Sequence, residues 1–315
     1  MADKTDEPNW ERKVLEKLAL ESIAEQRKRR RWGIFFKLLG FGYLLVLFGV
    51  AGEWRVTHSV SEEDPHTALV EMNGVIQAKG DANAENVNSA LQAAFESKGT
   101  KGVVLKINSP GGSPVQAGMI RDEIVRLRKK YPAIPLYVVV EDVCASGGYY
   151  VAAAADKIFV DKASIVGSIG VLMDGFGFTG TMDKLGVERR LLTAGSNKGF
   201  LDPFSPQSQE QKAYAVSMLN EIHQQFIDVV KQGRGKRLKE TPETFSGLMW
   251  SRAKSIELGL ADAYGTTDSV ARDVIKAENI LDYTVSPSFA DKFAQRFGAS
   301  MANSAASMLT TTTLH

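Results

Sequence analysis

One serine stands in a setting that suits nucleophilic chemistry. Ser146 follows Leu136–Val140, a run rich in β-branched and aromatic residues that predicts a buried strand, and it precedes Tyr149–Ala155, which predicts a helix. The glycines after it, Gly147 and Gly148, leave the backbone bare, so a substrate can approach and backbone N–H groups can face an anion. The alternative is a helix N-cap serine with glycines kept for packing. This stretch alone favours neither interpretation.

A serine hydroxyl needs a base to remove its proton. The four histidines lie in a polar stretch, on a polar helix face and at the C-terminus, so no histidine triad is indicated; His223, beside Gln224 and Gln225, is predicted to be solvated. A buried lysine is the other option, because desolvation lowers a lysine pKa by up to ~3–5 units. Lys198 has no acidic neighbour until Asp202 and is the best candidate by setting. The residues alone nevertheless favour an ordinary exposed lysine.

Other nucleophiles and cofactors find little support. Cys144 is the only cysteine, so it forms no intrachain disulfide, and without a Cys/His pair it is predicted to be a small buried hydrophobe. The glycines of 175–180 lack the acidic residue that a dinucleotide site needs, and 233–236 lacks the P-loop spacing. His58 and His66 are too isolated for a metal site. We therefore expect neither a cofactor nor a metal.

The elements around Ser146 predict an α/β fold. Ala68–Met72 is predicted to be a strand that turns at Asn73-Gly74 into a return strand at Val75-Ile76. A helix over 83–95, a strand over 102–108 and a helix over 115–130 follow, and this alternation indicates βαβ units and a parallel sheet. The loop 109–114 and the Ser146 turn then lie at the C-terminal ends of consecutive strands, where such sheets build their sites.

Later segments are predicted to continue this domain, which we place at 67–285. Strands are expected at Lys157–Val160 and Ile169–Met173, with a turn at Val166–Ser168 between them, and a further strand ends at Thr193. A long helix is expected over 207–232. The alanine-, serine- and threonine-rich tail, 286–315, is expected to be partly disordered.

The N-terminal part carries a basic cluster and an apolar run. Arg27–Arg31 stands directly before residues 32–54, a run of 23 residues, which exceeds the ~20 that a membrane-spanning helix needs. A cleaved signal peptide is the alternative, but more than thirty residues precede the run. We expect a cytoplasmic segment (1–31), an uncleaved transmembrane helix (32–54), a linker (55–66) and an exported main domain, following the positive-inside rule. The net charge of +1 gives no general attraction to nucleic acid.

Four motifs in order resemble the signal peptide peptidase A family of serine proteases. They are Asn108–Ser113, Ala145–Tyr150, Gly167–Gly170 and Ser196–Gly199, the last followed by Asp202-Pro203-Phe204. The resemblance covers about 68–282. It implies a Clp protease/crotonase-like fold and a Ser/Lys catalytic dyad.

The resemblance also implies a role for each site residue. Ser146 would be the nucleophile and Lys198 the general base, with Ser168 orienting the lysine amine. The N–H groups of Gly112 and Gly147 would bind the oxyanion. Gly111 and Gly148 would support the turn or the substrate, and both Gly111 and Ser168 could equally be turn residues.

The expected function is a membrane-anchored endopeptidase, in a bacterial-type inner membrane, that degrades remnant signal peptides and similar apolar peptides. The resemblance implies a homo-oligomer in which the serine and lysine of one site can come from neighbouring chains. Three alternatives are a crotonase-type acyl-CoA hydratase or isomerase, a protease for a specific partner membrane protein, and a membrane scaffold without activity.

Overall fold

The computed structural model describes residues 10–56 and 61–285. The chain divides into two compact units, Met1–Ser59 and Val60–His315, which are described separately below. The predicted disordered tail, 286–315, and the start of the predicted cytoplasmic segment, 1–9, lie outside the described residues.

The first unit contains one long helix, α1 (Trp10–Val56), of 47 residues. It joins the predicted cytoplasmic segment and the predicted transmembrane segment without a break. Its apolar side chains are exposed where described, among them Phe35, Phe36 and Leu38. Within the described residues, no helix is both long and apolar enough to cross a membrane. The transmembrane helix over 32–54 therefore stays a prediction.

The second unit is built on a mostly parallel sheet, as predicted. Its strands are β1 (His66–Asn73), β2 (Thr100–Ser109), β3 (Leu136–Ala145), β4 (Lys157–Val160), β5 (Ile165–Gly167), β6 (Met249–Ser251), β7 (Ala263–Tyr264) and β8 (Ile280–Asp282). The order is β6-β5-β3-β2-β1-β8, and β4 lies beside the first half of β3 and pairs with β7. Only the β5–β6 pair is antiparallel among the strand pairs described.

Helices connect these strands, and four of those described, α2, α3, α6 and α8, begin at a residue whose side chain caps the helix. They are α2 (Ala84–Glu96), α3 (Pro114–Lys130), α4 (Gly147–Ala152), α5 (Thr179–Leu185), α6 (Gln209–Arg234), α7 (Arg252–Glu257) and α8 (Thr267–Ser269), with a short π-helix at Val270–Ile275. Asn83 caps α2 by accepting the Asn86 N–H, and Ser113 caps α3, whose first residue is a proline. Both helices start within one residue of the predicted positions, whereas α4 and α6 each start two residues away from theirs.

The sheet has two different faces because successive strand residues point to opposite sides. Val103, Leu105 and Ile107 of β2 enter the main core together with buried residues of α2, α3, α4 and α6. Val104 faces the other side, where a small cluster packs against Val270 of the π-helix. Helix α4, which follows Ser146, contacts α3 and α6 and is buried except for Tyr150. The Ser146 turn is thus held on a rigid part of the molecule.

Three sequence predictions about strands are wrong. Ile76 is not the return strand of a hairpin; it continues beside the end of β2 and forms a parallel bridge with Gly112. No strand forms over 169–173, since the predicted turn at 166–168 itself belongs mostly to β5. The segment before Thr193 is also irregular. All of 187–193 is exposed, and so are Leu172 and Met173, whereas Ile169 is buried in the main core without pairing as a strand.

The predicted linker is shorter than expected. His66, its last residue, is fully buried at the start of β1. Its ring nitrogens lie 2.7 Å from the Asp64 carbonyl oxygen and 3.1 Å from the Tyr283 hydroxyl. The residue thus belongs to the packed domain.

A buried ion pair ties the end of α6 to β7. The Arg234 side chain has 0% exposure and that of Asp262 has 14%, and their charged groups lie 2.9 Å apart. Arg234 Nε also donates to the Gly259 carbonyl at 2.8 Å. Arg234, in the glycine-containing segment 233–236, therefore has a structural role.

We expect Asp262→Asn to lower the free energy of unfolding at neutral pH by about 3–5 kcal/mol, because it leaves a buried guanidinium without its counter-charge. Burial raises the pKa of Asp262, but the hydrogen bond and charge of Arg234 outweigh this and bring the pKa below its ordinary 3.8. The carboxylate therefore stabilises the fold above pH 3.8 and stops doing so as the pH falls through the lower, folded-state pKa.

Urea unfolding of wild type and variant across pH measures this effect. The difference between them is expected to be full at neutral pH and to shrink below pH 3.8. Glu257→Gln is a matched control, because it breaks an exposed pair with Lys254 worth less than about 1 kcal/mol. A difference that does not change with pH would contradict the ion-pair explanation.

Candidate active site

Ser146 stands on a strained turn between β3 and α4. Its φ is 51°, which is unusual for a residue with a side chain and typically costs about 1–3 kcal/mol. Two backbone hydrogen bonds hold it there: its N–H donates to Gly167 O at 2.8 Å, and its carbonyl accepts the Tyr150 N–H at 2.9 Å. The side chain makes no capping hydrogen bond. The structure therefore favours a hydroxyl presented for chemistry over an N-cap.

The glycine loop after β2 lies against this turn. Gly111 and Gly112 have φ of 100° and 146°, which favour glycine. A Cβ on Gly111 would lie 2.7 Å from Ser146 Cβ, and one on Gly147 would lie 3.4 Å from the Gly112 nitrogen. Ser109, the last residue of β2, holds the loop in place, because its buried hydroxyl accepts the Gly111 N–H at 3.1 Å. The two predicted oxyanion donors are thus brought together beside Ser146.

The backbone N–H groups of Gly112 and Gly147 are available for a ligand. In the described part of the chain, neither donates to a loop, turn or side-chain acceptor. A pair of unpaired amides beside a serine is the arrangement that stabilises the oxyanion of a tetrahedral intermediate. Gly148 serves packing instead, because a Cβ there would lie 3.2 Å from the Ser109 carbonyl oxygen. This glycine allows α4 to pack on β2.

A cavity of about 600 Å³ opens in front of Ser146. Gly112, Gly147 and Ser168 also line it. Much of the remaining wall is apolar, formed by Pro114, Ala117, Tyr150, Leu172, Ile222 and Phe226. The rings of Tyr150 and Phe226 lie 5.2 Å apart, centroid to centroid, and close one side. The apolar part of the wall thus lies in the same cavity as Ser146.

Ser168 lies in the wall of the same cavity as Ser146, but Lys198, the residue that Ser168 was expected to orient, does not line this wall. It follows β5 with a φ of 51°, and its N–H donates to Leu248 O at 2.8 Å. The two serines are linked through Gly167, whose carbonyl accepts the Ser146 N–H. The backbone hydrogen bonds of Gly167 and Ser168 therefore fix the positions of Ser146 and Ser168 relative to each other.

Lys198 is not part of this cavity wall within one chain. It is exposed, in an irregular stretch between α5 and α6, and its backbone N–H donates to Gly195 O at 3.1 Å. Among the described residues, its ammonium group forms no ion pair. A single chain thus presents the nucleophile and the oxyanion donors without the predicted base beside them.

Two residues near the site bear on the sequence interpretation. His223 is not solvated as predicted: it is half-buried, and its Nε2 lies 3.1 Å from the Ile169 carbonyl oxygen. Cys144 is fully buried, as predicted, and burial raises the pKa of its thiol, which rules it out as a nucleophile at neutral pH. The wall residues Ile222, Gln225 and Phe226 were not predicted, although their helical spacing on α6 is a usable signal.

We expect Gly112→Ala to lower kcat by about 10²–10³-fold, the usual effect of losing one oxyanion donor. A Cβ at this position would collide with the Ile76 carbonyl oxygen and force the N–H out of line. Steady-state hydrolysis of a chromogenic ester measures the loss. Gly118→Ala on α3 is the control, since a Cβ there has open space; equal losses in both variants would contradict the oxyanion assignment.

Ser146 lies on a strained strand-to-helix turn, next to the unpaired backbone N–H groups of Gly112 and Gly147. A serine hydroxyl beside two such donors is the arrangement that acyl transfer requires. The class is therefore a serine hydrolase on a mostly parallel α/β sheet. Residues 128–280 match the model of Peptidase family S49. This match, which covers just under half of the chain, is to a family of serine peptidases that has a Ser/Lys dyad.

Individual relatives match different shares of the chain. It is 29% identical over 245 residues to "Putative signal peptide peptidase SppA" of Enterococcus faecium, covering 74% of this chain and 71% of that protein. It is 43% identical over 213 residues to "Na(+)/H(+) antiporter NhaA" of Brucella abortus (strain 2308), covering 65% of this chain. This chain spans only 28% of that antiporter's length, so the antiporter name gives no activity to the matched part.

Among solved structures, the chain is similar to the "1510-N membrane-bound stomatin-specific protease S97A mutant". The TM-score is 0.41 at 10% sequence identity, over 71% of this chain and 99% of that one.

Proposed function

We propose that this chain is a membrane-anchored serine endopeptidase that cuts remnant signal peptides and similar apolar peptides. The observation that carries the substrate class is the cavity beside Ser146, whose wall includes Tyr150, Ile222 and Phe226. Burying apolar side chains there contributes roughly 25 cal/mol for each Å² removed from water. The match of residues 128–280 to a peptidase family disfavours an acyl-CoA hydratase or isomerase, the other enzyme class considered.

The proposed reaction uses a lysine as base. The neutral Lys198 amine takes the proton of the Ser146 hydroxyl as the oxygen attacks the peptide carbonyl carbon. The N–H groups of Gly112 and Gly147 bind the resulting oxyanion, and Ser168 orients the lysine amine. The lysine then gives its proton to the leaving amine, which frees the first product and leaves an acyl-enzyme. A water molecule, deprotonated by the same lysine, releases the second product and restores Ser146.

The second part of the proposal is a homo-oligomer whose neighbouring chains complete each other's sites. Lys198 lies in a segment, 170–208, with many exposed apolar side chains: exposure is 79% for Leu172, 81% for Phe176, 72% for Leu185 and 96% for Leu192. Exposed apolar side chains, where they form a continuous patch, usually mark an interface. A second copy would cover it and would bring a lysine to Ser146 of its neighbour.

The third part is anchoring to a bacterial-type inner membrane, with the N-terminus cytoplasmic and the peptidase domain on the extracytoplasmic side. Supporting it are the basic cluster Arg27–Arg31 and the exposed apolar side chains that follow it on α1. Membrane fractions washed with alkaline carbonate test it: we expect the full chain to stay in the pellet. Complete release into the supernatant would contradict anchoring and leave the peptidase assignment standing.

Peptide cleavage tests the proposed substrate class. The detergent-solubilised chain is expected to cut a synthetic apolar signal peptide, with products identified by mass spectrometry. A matched peptide in which serines replace the leucines is expected to remain uncut, because it gains little from the apolar wall. Equal cutting of both peptides would contradict the apolar preference. Cutting of neither, with a membrane protein cut instead, would favour a specific partner protein as substrate.

A further inference from the structure

Helix α6 contributes one polar contact to the loop that carries Ser168. The Nε2 atom of His223 lies 3.1 Å from the Ile169 carbonyl oxygen. A carbonyl oxygen only accepts, so Nε2 carries the hydrogen in this contact. In the described part of the chain, no backbone N–H outside helices and strands donates to Ile169 O. His223 therefore donates a hydrogen bond to the carbonyl oxygen of Ile169, a residue whose side chain is fully buried.

This loop is held at three successive residues. Gly167 O accepts the Ser146 N–H, the Ser168 N–H donates to Leu248 O, and Ile169 O accepts from His223. The first two bonds are between backbone groups. The third depends on a side chain, so it is the one that a substitution can remove.

Ser168 has a positive φ, so its conformation depends on the hydrogen bonds around it, including the one from His223. A residue with a side chain keeps such a conformation only when its surroundings over-determine it. Gly170, on the far side, packs closely on Gly247, where a Cβ would lie 3.1 Å from the Gly247 Cα. His223 thus holds the carbonyl group of Ile169. The residues on either side of Ile169, Ser168 and Gly170, both line the cavity.

We propose that His223 is a positioning residue: its hydrogen bond to Ile169 O sets the direction in which Ser168 points into the cavity. The inference rests on the proposed peptidase function and adds to it, because it names a residue outside the dyad and the oxyanion donors on which turnover depends. His223 does not touch the reacting atoms, so its effect passes through Ser168.

Two variants separate positioning from general packing. His223→Leu removes the donor while keeping a side chain of moderate size, and we expect kcat to fall about 10–100-fold, as for small misplacements of catalytic groups, with a smaller change in KM. His223→Gln retains a side-chain N–H donor and is expected to recover most of the lost kcat. Gln224→Leu is the matched control, because Gln224 is exposed and its amide donates to Asp228 at 2.9 Å.

The experiment measures, for wild type and the three variants, kcat and KM on an apolar peptide, the rate of labelling by a fluorophosphonate probe, and the thermal midpoint. A lower kcat in His223→Leu, rescued in His223→Gln, supports the proposal. Unchanged kinetics in His223→Leu, or equal losses in His223→Leu and His223→Gln, would overturn it while the peptidase function stands. A wild-type chain that neither cuts the peptide nor takes up the probe would overturn both.

Discussion

Replacing Ser146 with alanine is expected to abolish turnover, with kcat lower by about 10⁶-fold, the effect measured when a serine nucleophile is removed from a comparable protease. The oxyanion donors and the cavity remain in such a variant, and they alone give only a small residual rate. The Ser146 hydroxyl makes no capping hydrogen bond, so its removal costs the fold little. Peptide cleavage and the thermal midpoint, measured on one preparation, separate the two effects.

A second serine controls for the substitution itself. Ser217 lies exposed on α6, outside the cavity wall, and Ser217→Ala is expected to cut at the wild-type rate. If Ser146→Ala retained more than about a hundredth of wild-type kcat, another group would have to be the nucleophile.

Mixing two inactive variants is expected to restore activity. Lys198→Ala alone removes the proposed base and, like Ser146→Ala, is expected to be inactive. In a mixed oligomer, a Lys198→Ala chain still supplies the serine and a Ser146→Ala neighbour still supplies the lysine. With random equal mixing, a shared site is complete in about a quarter of the interfaces of a cyclic oligomer.

The structural reason for this expectation is the position of Lys198. It is exposed, and it is absent from the cavity around Ser146 in its own chain. Co-expression of the two variants with different affinity tags, followed by tandem purification, isolates the mixed oligomers for kinetics.

The outcomes of mixing are distinct. Recovered activity would place the dyad across two chains. No recovery in a mixed oligomer that light scattering shows to be assembled would contradict a shared dyad. A fully active monomer would contradict the need for a second chain altogether.

The parts of the fold that depend on burial within this chain could be predicted from sequence. Apolar runs predicted β2 and β3, and helical spacing of apolar residues predicted α3. The strands expected at 169–173 and before Thr193 failed, although these segments are also rich in apolar residues. Ile169 is buried in the core, but Leu172, Met173 and the side chains of 187–193 are exposed, so the apolar pattern of these residues does not reflect burial in the chain's own core. It fits the proposed contact with a second copy.

Some residues of the candidate site could likewise be predicted from the sequence, and others could not. Ser146, Gly112 and Gly147 could be predicted because local glycine spacing and strand ends place them at one edge of the sheet. The role of His223 could not be predicted, because it depends on a contact between residues 54 positions apart in sequence. The position of Lys198 relative to Ser146 depends on the irregular segment 187–208, for which hydrophobic periodicity gives no guide.

The central claim is that Ser146 becomes acylated. The most direct measurement is to react the detergent-solubilised chain with a fluorophosphonate, weigh the intact protein by mass spectrometry and map the modified peptide. We predict one adduct per chain, on Ser146, and no adduct in Ser146→Ala. An adduct on another residue, or a chain that remains unmodified although assembled and folded, would contradict the claim.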